Sequence, residues 1–429
     1  MLEQRIHYLC STYRRIEEPE TPICNTVYSS DSDDTILAGI SGHRLLRLGK
    51  VGCSLGEGGA CGAISATPPL SRRGWLAFDR SIQFPGVHSA DRHERVQSPK
   101  MPIVDIHTHV YPPKYMDLLR SRTTVPYVRT FPDAPDSARL IILPGEDDPS
   151  TPSTSRGRPI GPEYFDIKQK IAFMDLHHID KSVISLANPW LDFLPSEEAG
   201  EAAQKINDDV NEQCALYPGR LYFFGTLPLS STAETIVKEI ERLSTLKYAR
   251  GVIMGTSGLG QGLDDLKLDP VYAALQKHEQ LIFLHPHYGL PASVYGPRAS
   301  EYGHVLPLAM GFPLETTIAV TRMLLSGVWD RFTKLNVLLA HSGGTLPFLA
   351  GRIESCIMHD GHLKQHGKTE KRRDVWDILK TNIYLDAVIY SDVGLNAALQ
   401  ASGADRLMFG KSCLYIGTGP SHLLMSHRH

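Results

Sequence analysis

Residues 101–410 of this 429-residue chain predict a (β/α)8 barrel, and three observations carry that reading. Short apolar runs recur at eight places, stretches with apolar residues at three-to-four spacing lie between them, and several runs end in histidine. Strands that are apolar on both faces belong to parallel sheets covered by helices. In a barrel built of such units, chemistry gathers at the C-terminal ends of the strands.

Taken in order, the first run, 103–107, ends in His107-Thr108-His109. In an extended strand residues i and i+2 leave on the same side, so two imidazoles at this spacing can share one metal ion. The second run, 182–187, stops before Asn188, and 199–217 follows with helix formers; 221–227 is the third strand and 233–246 its helix. The fourth, 251–255, ends in GTSG, which offers neither Lys nor Glu to bridge a second metal. After the helical stretch 270–279, the fifth strand, 281–285, ends in LHPHYG with His285 and His287, and the sixth, 336–341, ends in AHSGG with His341. Helix 373–379 and the strands 383–389 and 406–409 complete eight units.

Histidines at three ends of one barrel converge on one pocket. Neutral imidazole suits zinc, and three protein ligands with an open position describe a catalytic site; manganese or another divalent ion is the alternative. Of the pair in LHPHYG, His285 is the preferred ligand because it lies nearer the strand end, which leaves His287 a supporting role.

Composition excludes several function classes. The chain is 42% hydrophobic and 21% charged with a net charge of -3, so nothing points to nucleic acid or an anionic membrane surface. No apolar run is read as a membrane span, and the mixed-charge N-terminus lacks the apolar core of a signal peptide, so a cytoplasmic protein is expected. Seven scattered cysteines without a CxxC pair suit reduced thiols. Residues 1–100 hold four of those cysteines and a glycine cluster but no sustained periodicity, so they read as an extension outside the fold, disordered or a gene-model artefact.

The HTH of the first strand, HPHYG of the fifth and HSGG of the sixth resemble the amidohydrolase superfamily, in its branch of aminocarboxymuconate-semialdehyde-decarboxylase-like enzymes. The longer runs VISLANPWLDFL, FLHPHYGLPASVYGPR, LLAHSGGTLPFLAGRIESC and IYLDAVIYSDVGL are similar to fungal uracil-5-carboxylate (isoorotate) decarboxylases over about residues 101–410. The resemblance implies a metal-dependent carboxy-lyase acting on a small aromatic or pyrimidine carboxylate, with a homodimer as its assembly. It implies His107, His109 and His285 as metal ligands, His341 as a catalytic histidine facing substrate, and Asn188 and Arg158 as substrate contacts. Chemistry agrees for the last two: a guanidinium fork suits a carboxylate, and an amide offers both a donor and an acceptor to an imide edge.

One departure stands out. The family continues after the eighth strand with Thr-Asp-His-Pro, whose aspartate is the acid; here the residues are Lys411, Ser412, Cys413 and Leu414, and no Asp or Glu follows Asp405. The barrel therefore reads as truncated after its eighth strand, and residues 411–429 as an aberrant tail. Gly410-Lys411-Ser412 can be encoded by GGT AAG TCN, which contains a fungal-type intron start, so translated intron is the expectation. Two alternatives to an active decarboxylase follow: a metal-dependent hydrolase of the same superfamily, or a catalytically dead product.

Overall fold

The computed structural model describes residues 101–410 apart from Lys368, together with one short antiparallel pairing, Cys24–Asn25 with Gly39–Ile40. The readings made for the rest of 1–100 and for 411–429 lie outside the described residues.

Eight parallel strands form one sheet in sequence order: Val104–Val110, Lys181–Leu186, Leu221–Thr226, Ala249–Gly255, Leu281–His285, Val337–Leu339, Ile383–Asp386 and Leu407–Met408. Each of the eight expected runs overlaps one of them, and Val104–Val110, Lys181–Leu186 and Ala249–Gly255 extend beyond the bounds expected. The sheet curls until its first and last strands meet, where the Ile106 N–H donates to the Phe409 carbonyl at 3.1 Å. Gly410 makes that seam tight, since a Cβ there would stand 2.8 Å from the His107 Cβ.

Alternation along the strands divides the core into two layers. Phe224, Ile253, Phe283, Leu338 and Tyr384 fill the barrel interior. Phe223, Val252, Ile282, Leu284, Leu339 and Leu385 face outward, where they pack against helix residues such as Val210, Ile240, Leu275 and Val320. Burying such side chains is worth roughly 1.5–3 kcal/mol each, which explains why the strands are apolar on both faces.

Helices Ser196–Ala215, Ala233–Leu243, Asp269–Lys277 and Val375–Thr381 occupy the segments expected to be helical. Others, including Pro113–Ser121, Ile167–Leu176, Phe312–Leu325, Leu346–His359 and Asp392–Ser402, complete the coat. The helical run Leu306–Leu325 amends one expectation, being long and apolar enough by length and composition alone to cross a membrane. It lies between the fifth and sixth strands and buries Thr316, Ala319, Val320, Met323 and Leu324, as a barrel helix does.

Between the helices Pro113–Ser121 and Ile167–Leu176 the chain makes an excursion that the sequence did not announce. Tyr127–Phe131, Ala134–Ile141 and Arg158–Pro159 form a three-stranded antiparallel sheet. Its connection is stapled by Asp147, which accepts from Tyr127 Oη and from Arg129 Nη1, each at 2.6 Å. Arg139 donates to the Arg156 and Gly157 carbonyls.

Candidate active site

A register shift in the first strand sets the site. Ile106 belongs to the inner layer and Val110 to the outer, which strict alternation forbids; the pairing with the second strand slips between Asp105 and Thr108. Such an irregularity re-aims side chains. Thr108 accordingly faces outward, where Lys170 donates to its hydroxyl. His107 and His109 turn inward, both buried, with ring centroids 5.1 Å apart.

His285, the last residue of the fifth strand, brings a third ring 4.8 Å from His109 and 5.4 Å from His107. His341 adds a fourth, 5.2 Å from both His107 and His285. It rides on a turn in which His341, Ser342, Gly343 and Gly344 all have positive φ. That accounts for the paired glycines of AHSGG: a Cβ on Gly344 would lie 2.2 Å from the Pro313 carbonyl oxygen. Phe283 closes the floor against His107, while Phe312 stacks on His341 at 6.4 Å and Trp190 meets His285 edge-on.

Hydrogen bonds on the far side of three rings fix their tautomers. The His285 Nδ1 contacts the Pro286 carbonyl at 2.8 Å, and a carbonyl only accepts, so Nδ1 carries the proton. His109 Nδ1 lies 2.9 Å from Ser185 Oγ, whose own hydrogen goes to the Thr108 carbonyl, so here too Nδ1–H donates. His107 Nδ1 donates to the buried Asp386 carboxylate at 2.5 Å. Each ring therefore turns a bare Nε2 lone pair inward, and all three Nε2 atoms are buried without a partner. Lone pairs so oriented, each braced behind by an acceptor, fit a divalent cation.

Burial reinforces the neutral state. Desolvation, with the neighbouring imidazoles adding to it, holds His109 and His285 well below the ordinary histidine value and takes His341 to about 4. For Asp386 burial pushes upward, but the hydrogen bond and charge of His107, the charge of His341 and the Ser342 N–H outweigh it and keep the carboxyl below the usual range.

By spacing of ligand atoms alone, the cluster within 4.8 Å is His107, His285 and His341 among the described residues, with His341 in the place expected for His109. Tautomers separate the two. His109 is braced like His107 and His285, whereas the atom that His341 leaves buried and unpartnered is Nδ1. No hydrogen bond through Nδ1 fixes the tautomer of His341.

The remaining expected residues lie apart from the four rings. His287 is engaged at both nitrogens, by Ser257 Oγ at 2.9 Å and Asp192 Oδ1 at 3.2 Å, and its N–H donates to Glu315. Asn188 is half-buried at the end of the second strand, and its Nδ2 donates to the His287 carbonyl. Arg158 sits on the excursion, 45% exposed, with Glu146 at 3.8 Å, and its charge reaches Tyr111 and Tyr288. Sequence reasoning missed Asp386 and Ser185. Asp386 ends the apolar run IYLD, the same strand-end position that singled out the histidines, and that signal was available.

Comparisons agree with this architecture. The profile of the family described as "Amidohydrolase" matches residues 104–411. A crystal structure of Metarhizium anisopliae IDCase in apo form is 60% identical, with a TM-score of 0.69, over 72% of this chain and 83% of that one. The 2-amino-3-carboxymuconate-6-semialdehyde decarboxylase of Dictyostelium discoideum is 27% identical over 252 residues, 58% of this chain and 66% of its own length. A dihydroxybenzoic acid decarboxylase from Polaromonas sp. JS666, solved with manganese and the inhibitor 2-nitroresorcinol, shares the fold at 22% identity and a TM-score of 0.55, over 72% of this chain and 86% of that one.

Proposed function

The chain belongs to the amidohydrolase family, and from that premise we propose that it is a metal-dependent, non-oxidative decarboxylase of a small aromatic or pyrimidine carboxylate, with uracil-5-carboxylate the favoured substrate. The observation that carries the reading is the set of three buried imidazoles, His107, His109 and His285, packed ring against ring, each braced through Nδ1 and leaving Nε2 buried without a partner. The relatives are decarboxylases, which favours decarboxylation over hydrolysis. So does the fourth strand, whose end carries Thr256 and Ser257 where a bridging Lys or Glu would serve a second metal. Uracil-5-carboxylate rests on the 60% identity to IDCase and on the motifs shared with isoorotate decarboxylases.

A divalent ion, zinc or manganese, would act as a Lewis acid toward the substrate's carboxylate and adjoining carbonyl and would orient the ring. His341, the unbraced imidazole beside His107 and His285, moves a proton. In the reaction the ring carbon bearing the carboxylate gains a proton, the bond to the carboxylate breaks, CO2 leaves, and the electron pair returns to the ring. Arg158 supplies a fork for the carboxylate at the mouth. The Asn188 side chain, its amide held by the His287 carbonyl, keeps its oxygen for an imide N–H. The family resemblance favours a homodimer as the protein's assembly.

The test is CO2 and uracil release from uracil-5-carboxylate, against a panel of hydroxybenzoates, by protein loaded with zinc or manganese. Turnover is slow as the chain stands, because Ser412 is a poor acid where the family has aspartate. Grafting Thr-Asp-His-Pro and a family-like C-terminal helix after Gly410 raises it by about 10²–10⁴. Lactone or amide hydrolysis without CO2 release from any carboxylate would sink the reading.

A further inference from the structure

Asp386 ends the seventh strand wholly buried, and donors from three segments converge on its carboxylate. His107 Nδ1–H reaches Oδ2 at 2.5 Å, and the His341 N–H reaches the same oxygen at 3.0 Å. Ser342 N–H and Val388 N–H occupy Oδ1 at 2.7 and 3.0 Å, while Ser342 Oγ donates to the Asp386 carbonyl at 2.7 Å. His341 and Ser342 stand at φ of 56° and 53°, a left-handed conformation unfavourable for residues other than glycine. Their N–H groups therefore need a strong, fixed acceptor to keep the turn in place. One carboxylate thus holds the ring of a candidate ligand from the first strand and the backbone of the turn that carries His341.

We propose that Asp386 is a positioning residue that couples the cation site to His341, so that the ligand geometry of His107 and the placement of the proton-moving imidazole are set by the same group. This rests on the reading of the histidine cluster as the cation site of a decarboxylase. The physical reason is rigidity: a carboxylate with donors on both oxygens cannot rotate to serve one partner without abandoning another. An amide in its place can accept from His107 only by turning its NH2 toward the Ser342 and Val388 N–H groups.

The experiment titrates the whole protein with Co2+ alone, following the visible absorption of the bound ion and its affinity by chelator competition, for wild type, Asp386→Asn and Ser342→Ala. Asp386→Asn weakens Co2+ by about 10–100-fold and alters the band intensities, and in the aspartate-repaired enzyme at saturating ion it lowers kcat with KM little changed. Ser342→Ala, which disturbs only the turn, leaves Co2+ affinity and spectrum as in wild type. An Asp386→Asn protein with wild-type affinity and spectrum would reduce Asp386 to support for the turn and overturn the coupling. Should that variant not fold, nitrogen NMR of histidine-labelled wild type decides instead: a proton on His107 Nδ1 in the apo and Co2+-loaded protein upholds the proposal, and a proton on Nε2 overturns it. Wild type that binds no Co2+ would bring down the cation site and the coupling together, whereas Co2+ binding without CO2 release would bring down only the decarboxylase reading.

Discussion

The ring of strand ends and the antiparallel excursion each carry polar groups proposed to serve the reaction, and they hold them differently. In the ring, His107, His109 and His285 are buried, and each is fixed by a hydrogen bond to a group on the barrel itself. On the excursion, Arg158 is 45% exposed, and the carboxylate of Glu146 stands 3.8 Å away. A buried, braced imidazole has spent its conformational freedom on folding. An exposed arginine gives up as much as about 1.5–2 kcal/mol of rotamer entropy when a ligand fixes it. On the proposed function, the ring is prepared before substrate arrives and would govern the chemical step, while the excursion would be completed by substrate and govern binding.

The strongest way to break that division is to remove a ring. His107→Ala and His285→Ala should each take bound divalent ion from about one per chain to near none by elemental analysis and abolish decarboxylation; full occupancy in both would remove the ring's role. Next in size, His341→Gln in the aspartate-repaired enzyme should retain the ion while kcat falls by about 10²–10⁴, and a His341 variant that loses the ion would move that residue among the ligands.

The third test uses pH on the metal-free protein. His109, His285 and His341 have folded values below the ordinary 6.5, so as the pH falls the unfolded chain takes up their protons first. Their contribution to stability is whole above about 6.5 and is lost progressively below it, through about 4 for His341. The melting temperature should therefore drop between pH 7 and pH 5, and the triple variant with alanine at these positions should show a smaller drop; equal slopes would mean that the ring carries no such strain.

The smallest effect belongs to the excursion. Arg158→Ala should raise KM by about tenfold, the loss of one charge-assisted contact near 1.4 kcal/mol, with kcat nearly unchanged. A fall in kcat comparable to that of His341→Gln would erase the distinction between the two regions.

Much of this was legible in the residues. All eight strands overlap the expected runs, with Val104–Val110 running three residues past its expected end, because a strand buried on both faces must be apolar throughout and that pattern is local. His107, His109, His285 and His341 were found because they end such runs. The excursion at 127–159 was not, since its short strands are mixed in polarity and held by arginine and aspartate contacts such as Arg129 with Asp147. His287 was expected to play a supporting role, but its engagement by both Ser257 and Asp192 could not be read from LHPHYG.

By itself the sequence determined the barrel, the order of its strands and the histidines at their ends, for these follow from periodicity and residue type within a few positions. Only the tertiary structure decided which nitrogen of each ring faces inward and what holds it there. The slip between Asp105 and Thr108 that turns His107 inward depends on pairing with the second strand. The carboxylate that orients His107 lies 279 residues further along the chain. Partners so distant leave no local signal: they meet because the barrel closes, and closure brings the first and seventh strand ends within a hydrogen bond of each other.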